Sequence, residues 1–476
     1  MTFSLLYAAF WLSVWLVMLL RPKLYVIALF VTAPWMGLWV KLVWMLDPFK
    51  IGLVLSPLLL ITSGKLRRIR GVTVPLMAFV ICSLLLMSWQ FASGEVTKFD
   101  QLNHLGLIGR LVAANGMLLL RIFLLVIVAS ILSTGEDAHR CISSYAISVF
   151  VLAAYAILQE LCFLLFGNPI TSIYQFGLFQ GGSVYTPIDI FGIQMLRAYS
   201  FCNEPKDLAL FIMPAAAYAY TSMTAERSRR GRTWHRVQFW CLLCVGILTF
   251  SSSFLLLFPL VLMVLELLQP NRSIQRLLPR YVIYGCVTLL LFSMLSEVWR
   301  VRVTTRFKET GDLLQTSREG PASRFFSEQF PRALVGYGVG TQAFYLPTYM
   351  PDEYRHRLID YQGAAGLDSF WFSLLLDMGL PGTIIFGWLC LKVLRCPAVA
   401  KRRTWEYRAA LIALLIAGIA LPVDLRGATL WLFLGLALRT QQVFSRPIAF
   451  SVVPCSDALL RSVAGEQQPV AQKGQP

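Results

Sequence analysis

Charge is scarce in this chain of 476 residues, at 14%, and acidic charge is the scarcest, with 25 Asp and Glu against 42 Lys and Arg. Beside 57% apolar residues and a mean hydropathy of +0.65, that scarcity excludes the string of soluble domains this length would otherwise suggest. Cysteine is thin as well: ten residues, most of them inside apolar runs where a thiol behaves as a small hydrophobe, exclude a disulfide framework. The histidines His104, His139, His235 and His356 are scattered without metal-ligand spacing. Cys241 and Cys244 form a CxxC with no second pair. No DxD-like acid pair stands out, so the expectation is chemistry without metal or other cofactor. No internal repeat is visible, which leaves the inverted-repeat architecture of many transporters unsupported. The formal charge of +17 would raise nucleic acid as a partner in a soluble protein, but here it reports topology, and no nucleic-acid partner is expected.

What is present is a succession of apolar runs. A helix needs roughly 20 apolar residues to cross the hydrocarbon core while satisfying its own backbone. Runs of about that size cover residues 4 to 20, 24 to 46, 51 to 63, 72 to 92, 111 to 133, 142 to 166, 206 to 222, 237 to 249, 253 to 268, 281 to 297, 369 to 391, 409 to 421 and 428 to 438. They predict an all-α polytopic membrane protein of about 12 to 14 transmembrane helices, a single membrane domain over residues 1 to 439. The first run has no basic segment before it and no cleavage site after it, so it reads as a retained helix. Ser251, Ser252 and Ser253 interrupt residues 237 to 268, where a re-entrant bend or a tight turn is expected. The short basic loops around Lys65 to Arg70, Arg227 to Arg236, Arg272 to Arg280 and Lys392 to Arg408 all fall on one side, expected to be the cytoplasm. Two long loops, 167 to 205 and 298 to 368, then face outward. The tail 440 to 476, poor in apolar residues, reads as disordered.

The outward loops carry the polar chemistry. Loop 167 to 205 is rich in Gly and aromatics, including Tyr174, Phe176, Phe179, Tyr185, Phe191 and Tyr199, a surface suited either to stacking on sugar faces or to an interfacial belt. It closes on Arg197 to Asp207, in which Arg197, Glu204 and Lys206 suit an anionic headgroup, while Asn203, Glu204 and Pro205 equally suit a helix start. Loop 298 to 368 opens with Arg300, Arg302, Arg306 and Lys308, matched either to a diphosphate or to anionic lipid headgroups. It continues through Ser317, Arg318, Ser323, Arg324 and the run Gly336 to Gly340, which lacks the context of a nucleotide fingerprint and reads as a bend. It re-enters the membrane at Asp368, which can cap the next helix. Asp377 follows inside the bilayer, where an ionisable group is a functional candidate by default, as are Arg121 and Lys41. Arg121 is also an available structural partner for Asp377.

Together these segments resemble the O-antigen polymerase and O-antigen ligase superfamily of bacterial envelope enzymes. Arg197 to Pro205 before an apolar helix is similar to that family's arginine-led segment. Thr249, Phe250, Ser251, Ser252 and Ser253 resemble its serine-rich break, although the arginine many members carry there is missing. Ser323 and Arg324 followed by Gly336 to Gly340 resemble its long loop. Asp368, Ser369, Trp371, Asp377, Gly379 and Gly382 fall where members often have His, Asn, an aromatic, Glu, Gly and Gly. The resemblance spans roughly residues 195 to 390; the rest agrees only in being helical.

It implies a GT-C-like membrane glycosyltransferase in the bacterial inner membrane, its active site facing the periplasm. The donor would be a glycan on polyprenyl diphosphate, and the acceptor either another lipid-linked repeat unit, in a polymerase, or lipid A-core or protein, in a ligase. Arg197 and Arg324, supported by Arg318 and Lys206, would hold the diphosphate, and Asp368 would serve as base or acceptor-orienting group, with Glu204 as its rival. Ligases tend to carry His where Asp368 stands, which favours the polymerase. A flippase or transporter of lipid-linked glycan is the alternative from another class. The partners implied are membrane lipid, a flippase that delivers repeat units and a chain-length regulator.

Overall fold

The computed structural model describes residues 2–35, 40–41, 45–63, 71–95, 106–167, 188–190, 193–202, 205–226, 228–269, 319–349, 367, 369–395, 404–421 and 428–444. It is a helical, multi-pass membrane protein. Among the described residues, five helices are long and apolar enough to cross a bilayer: α5 (Thr73–Ser93), α6 (Gly106–Ile131, apolar from Ile108), α7 (Gly135–Phe166), α8 (Pro205–Ala225) and α13 (Phe370–Leu394). Around them stand α1 (Thr2–Leu19), α2 (Pro22–Thr32), α3 (Pro48–Leu55), α4 (Leu58–Ser63), α9 (Arg229–Leu248), α10 (Ser252–Leu268), α14 (Trp405–Ala417) and α15 (Ala428–Phe444). The span expected over 281 to 297, the tail 440 to 476 beyond Phe444, and the basic opening Arg300 to Lys308 lie outside the described residues.

Helix α8 is the hub. It is buried on every face from Leu208 through Ser222 and packs against α7, α9, α10 and α14. Its small residues, Ala209, Ala215, Ala216, Ala217 and Ala219, let neighbouring backbones approach, which is how helices associate where lipid removes the hydrophobic drive. Helix α5 is its opposite: Val74, Met77, Ile81 and Leu85 are exposed on one face, the lipid face of a peripheral span, while Leu76, Phe79 and Leu86 pack inward.

The chain departs from the expected spans in three places. The run 24 to 46 is not one helix: α2 stops at Thr32, and Val40–Lys41 (β1) pairs antiparallel with Met45–Leu46 (β2). The run 51 to 63 is divided at Pro57, which cannot donate a helical hydrogen bond. The break expected at Ser251 to Ser253 falls slightly earlier, at Thr249 to Ser251, where Phe250 takes a left-handed conformation (φ 48°) and the Ser251 hydroxyl accepts from Phe254 N–H to cap α10. The long loops 167 to 205 and 298 to 368 also have structure of their own: a hairpin of Ile188–Ile190 (β3) and Ile193–Met195 (β4) in the first, and helices α11 (Glu319–Glu328) and α12 (Gln342–Tyr349) in the second.

Candidate functional site

Helix α7 measures the separation of the two ends of the bundle. Asp137 lies in its first turn and Glu160 near its last, about 35 Å apart at a rise of about 1.5 Å per residue. At the Asp137 end, the carboxylate accepts from Ser133 N–H (3.0 Å), Ser133 Oγ (2.8 Å) and Thr134 N–H (3.0 Å) and pairs with Lys23 (2.9 Å). The Thr134 hydroxyl accepts in return from Asp137 N–H, completing a capping box. Arg439 donates to Ser133 O, Tyr407 to Gly135 O and Gln441 to Arg395 O. The segments gathered here, including Arg395 and Tyr407 from the basic stretch 392 to 408, are ones the charge pattern assigns to a common side.

The opposite end holds Arg197. The strand leading out of β4 is clamped from two directions: Leu196 N–H donates to Glu160 Oε1 (3.0 Å), while Ala198 N–H donates to Leu248 O (2.9 Å) and Arg197 Nε to Thr249 O (3.3 Å). Leu248 and Thr249 end α9, where carbonyls have no helical donor and a cation is favoured by the dipole. Ser200 turns the chain through a left-handed conformation (φ 54°), Phe201 stacks on Tyr155, and α8 follows with half-buried Lys206 in its first turn. Two segments separated by some fifty residues in sequence, the arginine-led one and the serine-rich break, are thus one piece of structure.

Sequence reasoning missed the floor of this piece. Gln159 and Glu160 are buried, and both Gln159 amide atoms and Glu160 Oε2 have no hydrogen-bond partner among the described residues. The signal was available: an acid inside the apolar run 142 to 166 is as costly as Asp377, which was singled out on that ground.

The glycine run forms the second element of the site. Pro381 in α13 has no N–H to offer Asp377 O, four residues before it, and Gly379 breaks the helix with φ 66° and ψ −173°. Gly338 N–H donates to that orphaned Asp377 carbonyl (2.7 Å), and Tyr337 N–H to Leu376 O (3.0 Å). The approach is so close that a Cβ on Gly336 would lie 2.4 Å from Gly379 N, and one on Gly379 would lie 2.2 Å from Val335 O. The Asp377 side chain accepts from Gln342 Nε2 (3.1 Å), which also donates to Ser373 Oγ (2.6 Å). Asp377 therefore helps to dock the loop onto the broken helix. Arg121, considered as its partner, also lies near enough to Asp47 to favour the charge on that carboxylate. Lys41 falls in β1, its side chain outside the described residues.

Arg324 projects, exposed, from α11, whose neighbouring Phe325 is buried and stacked on Tyr345 (3.8 Å between centroids). That apolar cluster, which includes Tyr337, Leu367 and Leu376, is distinct from the main core holding Ala198 and Cys202, so Arg324 and Arg197 are mounted on different clusters. Beside it, Arg332 pairs with Glu95 (3.0 Å), donates to Gly336 O (2.9 Å) and lies over the rings of Tyr337 (4.8 Å) and Trp89 (5.9 Å). Asp368, Glu204 and Arg318 lie outside the described residues. The cap of α13 offered to Asp368 is made by Ser369, whose hydroxyl accepts from Phe372 N–H (3.4 Å). Among the described residues, no three His, Cys, Asp or Glu side chains gather as metal ligands would.

No model of a known protein family matches this chain, and no curated protein matches it.

Proposed function

We propose that this protein is a GT-C-type membrane glycosyltransferase that polymerises polyprenyl-diphosphate-linked repeat units into an envelope or secreted polysaccharide at the outer face of the bacterial inner membrane. The observation that carries the reading is the clamping of Leu196 to Ala198 between Glu160 and the end of α9. It places a guanidinium on a rigid seat, beside apolar helices and at the end of the bundle away from the basic segments, where a lipid-borne diphosphate would arrive.

In this reading Arg197, Lys206, Arg324 and Arg318 bind the donor diphosphate and offset the charge that develops as it leaves. The acceptor hydroxyl attacks the anomeric carbon, the bond from that carbon to the diphosphate oxygen breaks, and the diphosphate departs with the bonding electrons. The hydroxyl proton passes to Asp368, or to Glu204, directly or through water. A carboxylate with an ordinary pKa near 4 is a weak base, and partial burial would strengthen it. The reaction needs no metal. A flippase supplies the donor and a chain-length regulator sets the product size.

The test is the glycan size distribution of cells lacking the protein, complemented with wild type or with Asp368→Ala. Loss of the polymer ladder, with single repeats still reaching their final acceptor, is the expected result. Long chains accumulating on the lipid carrier would mean a ligase, and repeats trapped on the cytoplasmic side a transporter. Unchanged polymer from an Arg197→Ala, Arg324→Ala double variant at normal expression would overturn the assignment of the diphosphate site.

A further inference from the structure

We propose that Trp89, Gln90, Glu95, Arg332 and Tyr337 form a pyranose subsite that binds an uncharged, hydroxyl-rich sugar ring; assigning that ring to the acceptor repeat unit rests on the polymerase reading. The five residues come from the end of α5 and from the loop that docks on the broken helix α13, elements joined across more than two hundred residues by the Arg332–Glu95 pair.

Charge decides the ligand class. Among the described residues Arg332 is the cation of this cluster, and the Glu95 carboxylate 3.0 Å away neutralises it. A diphosphate would find no net attraction here and would have to compete with Glu95. A sugar needs none: an ion-paired guanidinium and carboxylate offer donors and acceptors side by side, the complement of neighbouring hydroxyls. The Arg332 and Glu95 side chains are about a quarter exposed (24% and 27%), so a ligand can reach the pair.

Trp89, 56% exposed, supplies an apolar ring face for the C–H side of a pyranose. An interfacial belt would account for Trp89 alone. It does not account for its neighbour. Gln90 is fully buried against Gly338, yet neither its amide oxygen nor its amide nitrogen has a partner among the described residues, and the buried Tyr337 hydroxyl is in the same state. Buried polar groups are ordinarily paired, and an exception calls for a partner such as an ordered water, an ion or a ligand. Burial and the nearby Glu95 carboxylate push the Tyr337 phenol up to about 12, so it keeps its proton and can donate. Gly338 keeps the space over Gln90 free of a side chain, where a Cβ would lie 3.8 Å from Gln90 Cγ.

The experiment uses the full chain in lipid nanodiscs, titrated with methyl glycosides of glucose, galactose, mannose, rhamnose, N-acetylglucosamine and glucuronic acid, and read by saturation-transfer NMR. Polyprenyl diphosphate binding is measured in parallel. At least one neutral glycoside is expected to bind, with affinity falling about tenfold in Trp89→Ala and in Gln90→Leu, the scale of losing a central binding contact. Trp89→Phe retains binding, as does Trp240→Ala, which removes an exposed tryptophan on α9. Polyprenyl diphosphate binding stays the same in every variant. The proposal is overturned if no neutral glycoside binds, if glucuronic acid binds best, or if Trp89→Ala and Gln90→Leu leave sugar binding intact. It is also overturned if both variants lose polyprenyl diphosphate together with sugar. Sugar binding that depends on Trp89, in a protein whose deletion leaves the polymer ladder unchanged, would keep the subsite and remove the polymerase reading. A ladder that needs the protein, without sugar binding, would do the reverse.

Discussion

Asp137 and Glu160 are two buried carboxylates on the same helix, and they are treated in opposite ways. Asp137 is saturated: three hydrogen bonds and an ammonium partner close around it, and its own N–H completes the cap. Glu160 is half used, one oxygen holding Leu196 N–H and the other without a partner among the described residues. A closed carboxylate ties helices together, whereas the open one stands beside an arginine-bearing strand; in the proposed function it lies at the end that meets the donor.

The comparison can be broken most directly at Asp137. Asp137→Ala removes the cap and charge-assisted hydrogen bonds at once and is expected to cost about 2–4 kcal/mol, read as a lowered midpoint in reversible unfolding from mixed micelles. A loss below about 1 kcal/mol would mean that the node is not structural. Next comes Gly379→Ala, where a left-handed φ and a Cβ 2.2 Å from Val335 O predict a loss of about 1–3 kcal/mol or failure to accumulate. Unchanged stability there would detach the glycine turn from the helix break. Glu160→Gln sharpens the contrast, because the amide oxygen still accepts from Leu196 N–H while the buried charge is gone. Stability should stay within about 1 kcal/mol of wild type, and a loss as large as that of Asp137→Ala would make Glu160 equally structural and erase the contrast. The smallest effect belongs to Lys23→Met, since the Lys23 side chain is half exposed; it should cost less than about 1 kcal/mol and fall with added salt.

Much of the bundle was legible because lipid imposes a length and a polarity on every span. The ends of α5, α8, α10 and α13 lie within a few residues of the apolar runs, and the Asp137 end brings together segments that the charge pattern placed on one side. Hydropathy fails where apolar content does not specify conformation. Residues 36 to 46 are as apolar as a helix and rich in Trp, yet β1 and β2 pair there, and nothing in the composition distinguishes the two. The site was legible in part. Arg197 and the serine-rich break were both marked as segments, but their meeting depends on the bare carbonyls at the end of α9, a property of the backbone. Asp377 was conspicuous as a buried acid, while its work, accepting from Gln342 in a loop 35 residues earlier, is a long-range contact without a local pattern. Glu160 carried a signal of its own, as an acid inside an apolar run, whereas Gln159 and the Glu95–Arg332 pair are ordinary residues in sequence that only burial or a distant partner makes significant.

The hydrogen bond from Gly338 N–H to Asp377 O has a consequence for biogenesis. A helix interrupted by Gly379 and Pro381 would meet the bilayer with an unsatisfied carbonyl, a state that hydrocarbon does not tolerate. The donor sits in the preceding loop, which is synthesised before the helix it completes. The missing hydrogen bond is thus supplied from a segment made earlier, and α13 is expected to become a stable membrane segment only once that loop has folded onto it. Lesions in the glycine turn should accordingly surface as insertion defects, cleared by quality control before any catalytic deficit can be seen.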